Sequence, residues 1–478
     1  MKEPFLRDAS LDMEAVFASW ARNPALVTPG GMLSFADLAE GLSGLRSALL
    51  DHGVRRGMRV ALHEANSPLH FFLLLAGWSL GFSLVLLDPK APAARALCGV
   101  LPDLLISREK DPGPDGVRTL SPDLFSWGAG FPRKAAPLSP VPLRREASVV
   151  FTSGSTGAPK GVVHTVGNLY YSALGTIELL GLAPGHRWLV SLPLFHVGGL
   201  LIFVRTFLSG AAAIVHGDPG RLEEAISAHA PEFLSLVPLQ LSRLLGSPEA
   251  VRGLASAQAV LLGGGPCPAG LLNRALDAGI PVAPTYGSTE AASMVTAAPP
   301  GAPRREIHTA GKPLAHRELC INSDGLIVLG GKTLFRHYLA GGVEVEGAPG
   351  GRFTTTDLGA LDPDGNLRVL GRSDQVFISG GENINPFEIE SALAETGLVK
   401  EAAVVPAPHP EFGKTPWAFV ETEGAVDEAA LKAALRKILP PFKIPKRILP
   451  FPAEEEGGMK RRRKDLESLA AQLAGQGA

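Results

Sequence analysis

Apolar residues fall into two rhythms along the first part of the chain. FADLAEGLSGLRSALLDHGV (35–54) places them three and four positions apart, the period of an amphipathic helix. RVALHEA (59–65) then reads as a strand. FFLLLAGWSLGFSLVLLDP (71–89) is apolar almost throughout, at the short limit of a membrane span, and is interrupted by Gly77 and Gly81. It reads as a buried helix, a glycine turn and a core strand ending at Asp88-Pro89, with no membrane span. This alternation predicts a mostly parallel sheet covered by helices.

A Pro-rich, partly basic stretch, GFPRKAAPLSPVPLRRE (130–146), reads as a linker or surface loop. The rhythm then resumes. ASVVF (147–151), WLVSLPLF (188–195), AAAIV (211–215), FLSLV (233–237) and AQAVLLGGG (257–265) read as strands, with helices such as 221–230 between them. GNLRVLGRSDQVFISGGENINPFEIESAL (365–393) changes the pattern to a hairpin, a turn at GRSD and a new α+β unit. The expected fold class is therefore α/β. A large N-terminal domain (1–372) of mostly parallel sheets covered by helices is followed by a small, mobile C-terminal α+β lid domain (373–478).

Composition narrows this picture only a little. The chain has 478 residues, which calls for two or more domains. Forty-five basic and 47 acidic residues give a formal net charge of -2, so nothing asks for nucleic acid as a partner. Cys98, Cys267 and Cys320 are too far apart for a disulfide framework or a zinc site. With no apolar leader in MKEPFLRDASLDME, a reducing cytoplasm is the expected setting.

The chemistry concentrates in VVFTSGSTGAPKGVVHT (149–165). Small hydroxyl residues and glycines in front of one lysine suit a loop that holds phosphate. A Walker A loop needs Gly before its Lys and Ser or Thr after it, whereas Pro159 and Gly161 flank Lys160. The dinucleotide fingerprint is absent too. Thr152, Ser153, Ser155 and Thr156 offer hydroxyls, Gly154 and Gly157 allow close backbone approach, and Lys160 supplies a point charge.

The string FTSGSTGAPKGVVHT resembles the phosphate loop of the acyl-adenylate-forming (AMP-binding) superfamily. Four further strings stand in that superfamily's order: PLFHVGG (193–199), YGSTEAAS (286–293), TTDLGALDPDGNLRVLGRSDQV (355–376) and GGMKRRRKDL (457–466). The resemblance covers nearly the whole chain. It implies an acid–thiol ligase that uses ATP and Mg²⁺ to convert a carboxylate to acyl-AMP, releasing pyrophosphate. Coenzyme A then takes the acyl group.

Residue roles follow from the resemblance. Lys160 and the loop hydroxyls would hold the β- and γ-phosphates, and Glu290 would help hold Mg²⁺. Thr289 would contact the α-phosphate, and Tyr286 would stack on adenine. Gly263, Gly264 and Gly265 would line the adenine slot, with Gly287 and Ser288 beside the nucleotide. Asp357 would accept hydrogen bonds from the ribose hydroxyls, and Arg372 would contact the nucleotide. Asp374 would be the hinge. His196 belongs to the gate on the substrate side. Lys460 is the candidate catalytic lysine, with Met459 where the family usually has Gly and Lys464 as a rival. SGGENINPFEIE (379–390) resembles the loop lining the pantetheine tunnel, through Gly380, Gly381 and Glu382. A homodimer is common in the resembling family.

The acid is read from the acyl side. The Phe195-His196 pair lacks the Asp that holds an amino-acid substrate's amine. SLPLFHVGGLLIFVRTFLSGA, LSLVPLQLSRLL and VLLGGGPCPAGLL are most similar to the o-succinylbenzoate–CoA ligase branch, of menaquinone biosynthesis. There Arg205 would meet the substrate's second carboxylate, with Ser288 and Ser293 flanking it. A ligase for another aromatic or short acid, and a non-catalytic nucleotide-binding homologue, are the alternatives.

Overall fold

The computed structural model describes residues 3–93, 97, 100–108, 117–125, 137–152, 159–217, 220–265, 267–452 and 463–476. The chain divides into two compact units. The first comprises Met1–Gly265, Ala275–Cys320 and Val328–Phe353; the second comprises Pro266–Arg274, Ile321–Ile327 and Thr354–Ala478.

Two large sheets organise the first unit. An eight-stranded sheet has a parallel half, Arg118–Leu120, Leu104–Ser107, Arg59–His63, Ser83–Leu87 and Glu146–Thr152 in spatial order. Its other half is antiparallel, through Lys160–Thr165, His337–Ala340 and Val343–Glu346. A nine-stranded sheet has a parallel centre: Val282–Ser288, Ala259–Leu262, Phe233–Leu236, Arg187–Leu189, Ala212–Ile214 and Pro24–Thr28. Antiparallel strands flank that centre at both ends. Fully buried parallel strands explain the continuous apolar runs in the sequence.

Two apolar helices lie in the core between these strands. Leu69–Leu80 packs on Ser83–Leu87 and Glu146–Thr152, and Val197–Ser209 packs on Ala212–Ile214 and Ser293–Ala297. They meet through Phe71 and Phe203, stacked with ring centroids 4.7 Å apart. Truncating either ring would cost about 3–5 kcal/mol. The 71–89 run is thus a helix, a left-handed Gly81 (φ 87°) and a strand, as its glycines predict. Among the described residues no helix is long and apolar enough to cross a membrane. Helix Phe35–Asp51 starts at Ser34, whose side chain and that of Asp37 form a reciprocal capping box.

One expectation fails locally. WLVSLPLF is a strand only to Leu189. The Ser191 hydroxyl instead donates to the Ser235 carbonyl, and Pro193, which has no N–H to give a ladder, turns the chain toward the next helix.

The second unit is α+β. Strands Glu401–His409 and Gly413–Glu421 pair antiparallel, and Arg447–Pro450 joins in parallel. Val404, Ala418, Val420 and Ile448 pack with helices Pro386–Glu395 and Glu428–Leu435. The alternate residues Val405, Ala407, Trp417 and Phe419 pack instead with Leu466 and Ala470 of helix Arg463–Gln476. The two-residue period of the strands therefore builds a core on each face.

Candidate active site

The phosphate-loop string is a hairpin. Glu146–Thr152 and Lys160–Thr165 run antiparallel, with Thr152 directly opposite Lys160. Ser153, Gly154, Ser155, Thr156 and Gly157 lie outside the described residues. The Lys160 ammonium stands 5.6 Å from the centroid of the Tyr338 ring. The Tyr338 hydroxyl donates to Glu290 Oε1 at 3.0 Å. The Phe335 N–H donates to the Glu290 carbonyl at 2.8 Å. His164, on the lysine's strand, places Nε2 2.7 Å from the Thr289 carbonyl, so this nitrogen carries the proton. Burial pushes His164 down to about 4 and keeps it neutral. The phosphate hairpin thus grips the 286–293 turn from one side.

That turn is sterically demanding. It carries Ala292 (φ 51°) and Ser293 (φ 91°), non-glycine residues in the left-handed region. Gly287 sits at a bulge where a Cβ would collide with the Ser293 carbonyl. Gly263 is equally closed, because a Cβ there would meet the Thr285 hydroxyl. Gly264 has φ 79°, and Gly265 borders open space. Tyr286 is 8% exposed. Most of its ring is therefore covered by protein.

Arg205 lies on helix Val197–Ser209 and is 1% exposed. Its guanidinium stacks on Trp188 at 5.3 Å and donates one hydrogen bond, from Nη2 to Ser293 Oγ at 3.2 Å. Nε has no partner, and no carboxylate among the described residues pairs with this arginine. Burial, then the charge of Arg317, pushes Arg205 down to about 9. The Ser288 hydroxyl, whose residue faces Ser293 across the strand pair, is also buried without a partner. Unmet donors around a buried cation suit an anionic group that is supplied with the ligand. His196, exposed, caps the same helix and lies against Phe195, 4.4 Å between ring centroids.

Within the second unit, Asp357 and Arg372 are register partners on hairpin Arg352–Leu361/Leu367–Arg372. Arg372 Nη1 is 3.6 Å from Asp357, while Nε and Nη2 hold Asp374 bidentately at 2.9 and 2.7 Å. The expected ribose carboxylate, nucleotide arginine and hinge acid therefore form one ion-pair chain. Gly380 (φ 58°) and Gly381 (φ 90°) make the two-residue turn between Phe377–Ser379 and Glu382–Ile384, leaving Glu382 exposed at the tip. Lys460 lies outside the described residues. Just after it, Arg463 ion-pairs with Glu390 at 2.7 Å and Leu466 is buried, whereas Lys464 is exposed.

The sequence did not single out Tyr338, Trp188 and His164, which contact Glu290, Arg205 and Thr289, or Arg317, which bonds the carbonyl of Met294 just after the 286–293 turn. Glu146, His337 and Glu344 also bring metal-ligating atoms together. Arg336 and Arg59, each 3.8 Å from one of those carboxylates, already balance them.

Residues 13–339 match the AMP-binding enzyme family, and 388–455 match the AMP-binding enzyme C-terminal domain. A 2-succinylbenzoate–CoA ligase of Listeria monocytogenes is 33% identical over 443 residues, 89% of this chain and 92% of that protein. The o-succinylbenzoate CoA synthetase (MenE) of Bacillus subtilis, solved with the acyl-adenylate intermediate OSB-AMP, superposes with a TM-score of 0.79 at 30% identity. That match covers 92% of this chain and 94% of the other. The same enzyme with ATP and magnesium ion gives 0.80 at 30% identity, covering 92% and 95%. The family matches fall in both compact units and take in the strings at 149–165, 193–199 and 286–293, and the chain belongs to the AMP-binding enzyme family.

Proposed function

We propose that the chain is an ATP-dependent acid–CoA ligase that acts on 2-succinylbenzoate in menaquinone biosynthesis. The observation that carries the choice of acid is Arg205: a fully buried guanidinium with, among the described residues, one hydroxyl partner and no carboxylate. A substrate with a second carboxylate would complete it. The named relatives support the same acid.

In the first half-reaction one substrate carboxylate oxygen attacks the α-phosphorus of ATP, and pyrophosphate leaves. Lys160 and the hydroxyls of Thr152, Ser153, Ser155 and Thr156 hold the departing phosphates, and Thr289 donates to the α-phosphate. Glu290 fits Mg²⁺ as a carboxylate whose only polar side-chain contact shown is a neutral hydroxyl. When bound, the ion neutralises charge developing on the phosphates. Asp357 holds the ribose, Arg372 the nucleotide, and Lys460 bridges the carboxylate and the α-phosphate. In the second half-reaction the CoA thiol gives up its proton and attacks the acyl carbon, releasing AMP. Gly380, Gly381 and Glu382 face the pantetheine, and Asp374 serves as the pivot. The setting is the cytoplasm, with a homodimer as the assembly that the family resemblance implies.

The test is mass spectrometry of products from ATP, Mg²⁺, CoA and a panel of acids. Succinylbenzoyl-CoA should exceed every other thioester. A thioester from a different acid would discard the pathway and keep the ligase. AMP and pyrophosphate without thioester would point to another acceptor. No product would favour a nucleotide-binding homologue.

A further inference from the structure

Lys160 and Glu290 carry opposite charges on neighbouring segments of the first unit. Side chains so placed tend to close on one another, and a lysine paired with glutamate is a weaker phosphate ligand and leaves a weaker metal ligand. Among the described residues these two do not pair; Tyr338 stands between them. We propose that Tyr338 is a positioning residue whose ring caps Lys160 while its hydroxyl holds Glu290. The cation and the carboxylate thereby stay apart, each available to the nucleotide and its metal. The inference rests on the roles that the ligase reading gives those two groups.

Three observations carry it. The ring face attracts an ammonium through its quadrupole without neutralising it, so the charge survives for phosphate. The hydroxyl donates to the Glu290 carboxylate at 3.0 Å. Its bond occupies Glu290 Oε1 and leaves Oε2 as the oxygen with no partner shown. Finally, Tyr338 is held firmly. It pairs with Val162 on one side and Val345 on the other, and its ring lies 4.5 Å from Phe335. Phe335 also holds the Glu290 main chain, so one short segment fixes both ends of this glutamate.

Tyr338→Phe removes only the hydroxyl, and Tyr338→Leu removes the ring as well. Calorimetry would measure ATP binding with and without Mg²⁺, with no acid or CoA present, and thermal melting would check the fold. Tyr338→Phe should melt with the unaltered protein and bind Mg²⁺-free ATP equally. Its Mg²⁺ half-saturation should rise about tenfold, as expected for loss of a bond that orients a metal ligand. Tyr338→Leu should also weaken Mg²⁺-free ATP binding, because Lys160 then pairs with Glu290. Adding Glu290→Gln to that variant should restore Mg²⁺-free binding, a rescue that general damage cannot produce. Unchanged Mg²⁺ dependence in Tyr338→Phe, or no rescue by Glu290→Gln, overturns the proposal. If the unaltered protein binds ATP yet forms no acyl-adenylate, the ligase reading fails while these arms still decide the role of Tyr338. If it binds no ATP, both fall.

Discussion

Among the buried arginines of the first unit, Arg205 and Arg317 are treated in opposite ways. Arg205 and Arg317 are 1% and 7% exposed, and burial pushes each down to about 9. Arg317 spends its donors on protein. Nε bonds the Met294 carbonyl at 2.6 Å, Nη1 that of Ala315 at 2.8 Å, and Nη2 the carbonyl and hydroxyl of Ser172 at 2.9 and 3.0 Å. Gly175 makes room, since a Cβ there would strike the guanidinium. Arg205 has one serine hydroxyl, an aromatic face and an unpartnered Nε. The desolvation cost is met by protein carbonyls at Arg317 and only in part by protein groups at Arg205. Satisfaction of donors, rather than burial, separates Arg317 from Arg205, the cation proposed to bind substrate.

The strongest way to break this comparison is to remove each arginine. Arg317→Met leaves three carbonyls without their donor and unties helix Val166–Leu180 from strand Ser293–Ala297. It should cost about 3–5 kcal/mol in denaturant unfolding. Arg205→Met replaces an unpaired buried charge with a side chain of similar length, so stability should stay within about 1 kcal/mol or rise. KM for 2-succinylbenzoate should instead rise about 100-fold, with ATP affinity unchanged. If Arg205→Met unfolds as readily as Arg317→Met, the contrast is wrong and Arg205 is structural.

His164 extends the rule to a neutral group. Like Arg317 it is buried and tied to a carbonyl, here that of Thr289. Its pKa falls from 6.5 to about 4 on folding. Below 6.5 the unfolded chain takes up a proton that the folded chain refuses, so stability declines as pH drops from 6.5 toward 4. The decline attributable to this residue is about 2 kcal/mol at pH 5. His164→Gln keeps a donor for Thr289 and cannot titrate. Its stability should therefore fall less steeply over that window, read as the difference between the two proteins' unfolding curves at pH 7 and pH 5. Parallel curves would mean that this imidazole titrates normally.

The motif strings were legible because each is local. A strand, a run of glycines and a fixed lysine recur within a few residues, and the helix–Gly81–strand of 69–87 follows from apolar length and glycine placement alone. The partners that order those strings were not legible. Arg317 reaches Ser172 across 145 residues, and His164 reaches Thr289 across 125. Tyr338 meets Lys160 and Glu290 because its strand happens to pair beside the phosphate hairpin. Register between distant strands sets those contacts, and no spacing within FRHYLAGG announces them. WLVSLPLF misled for a related reason. Its apolar residues continue past Leu189, but Pro193 and the Ser191–Ser235 bond end the ladder.

The smallest expected effect concerns the one hydrogen bond that Arg205 makes among the described residues. Ser293 is already in a left-handed conformation, φ 91°, and alanine bears that strain no worse than serine, so Ser293→Ala isolates the hydroxyl. If the hydroxyl holds the guanidinium in place for a carboxylate, its loss leaves the cation without its orienting acceptor. KM for the acid should then rise about threefold, within the net worth of a single hydrogen bond. If the hydroxyl instead competes with the substrate's carboxylate for the guanidinium, the substrate displaces it, and its removal should lower KM by a similar factor. The sign of this small change, measured at fixed saturating ATP and CoA, separates a serine that prepares Arg205 from one that competes for it. A fall in KM would sharpen the contrast with Arg317, since even the single partner of Arg205 would then be a placeholder for ligand.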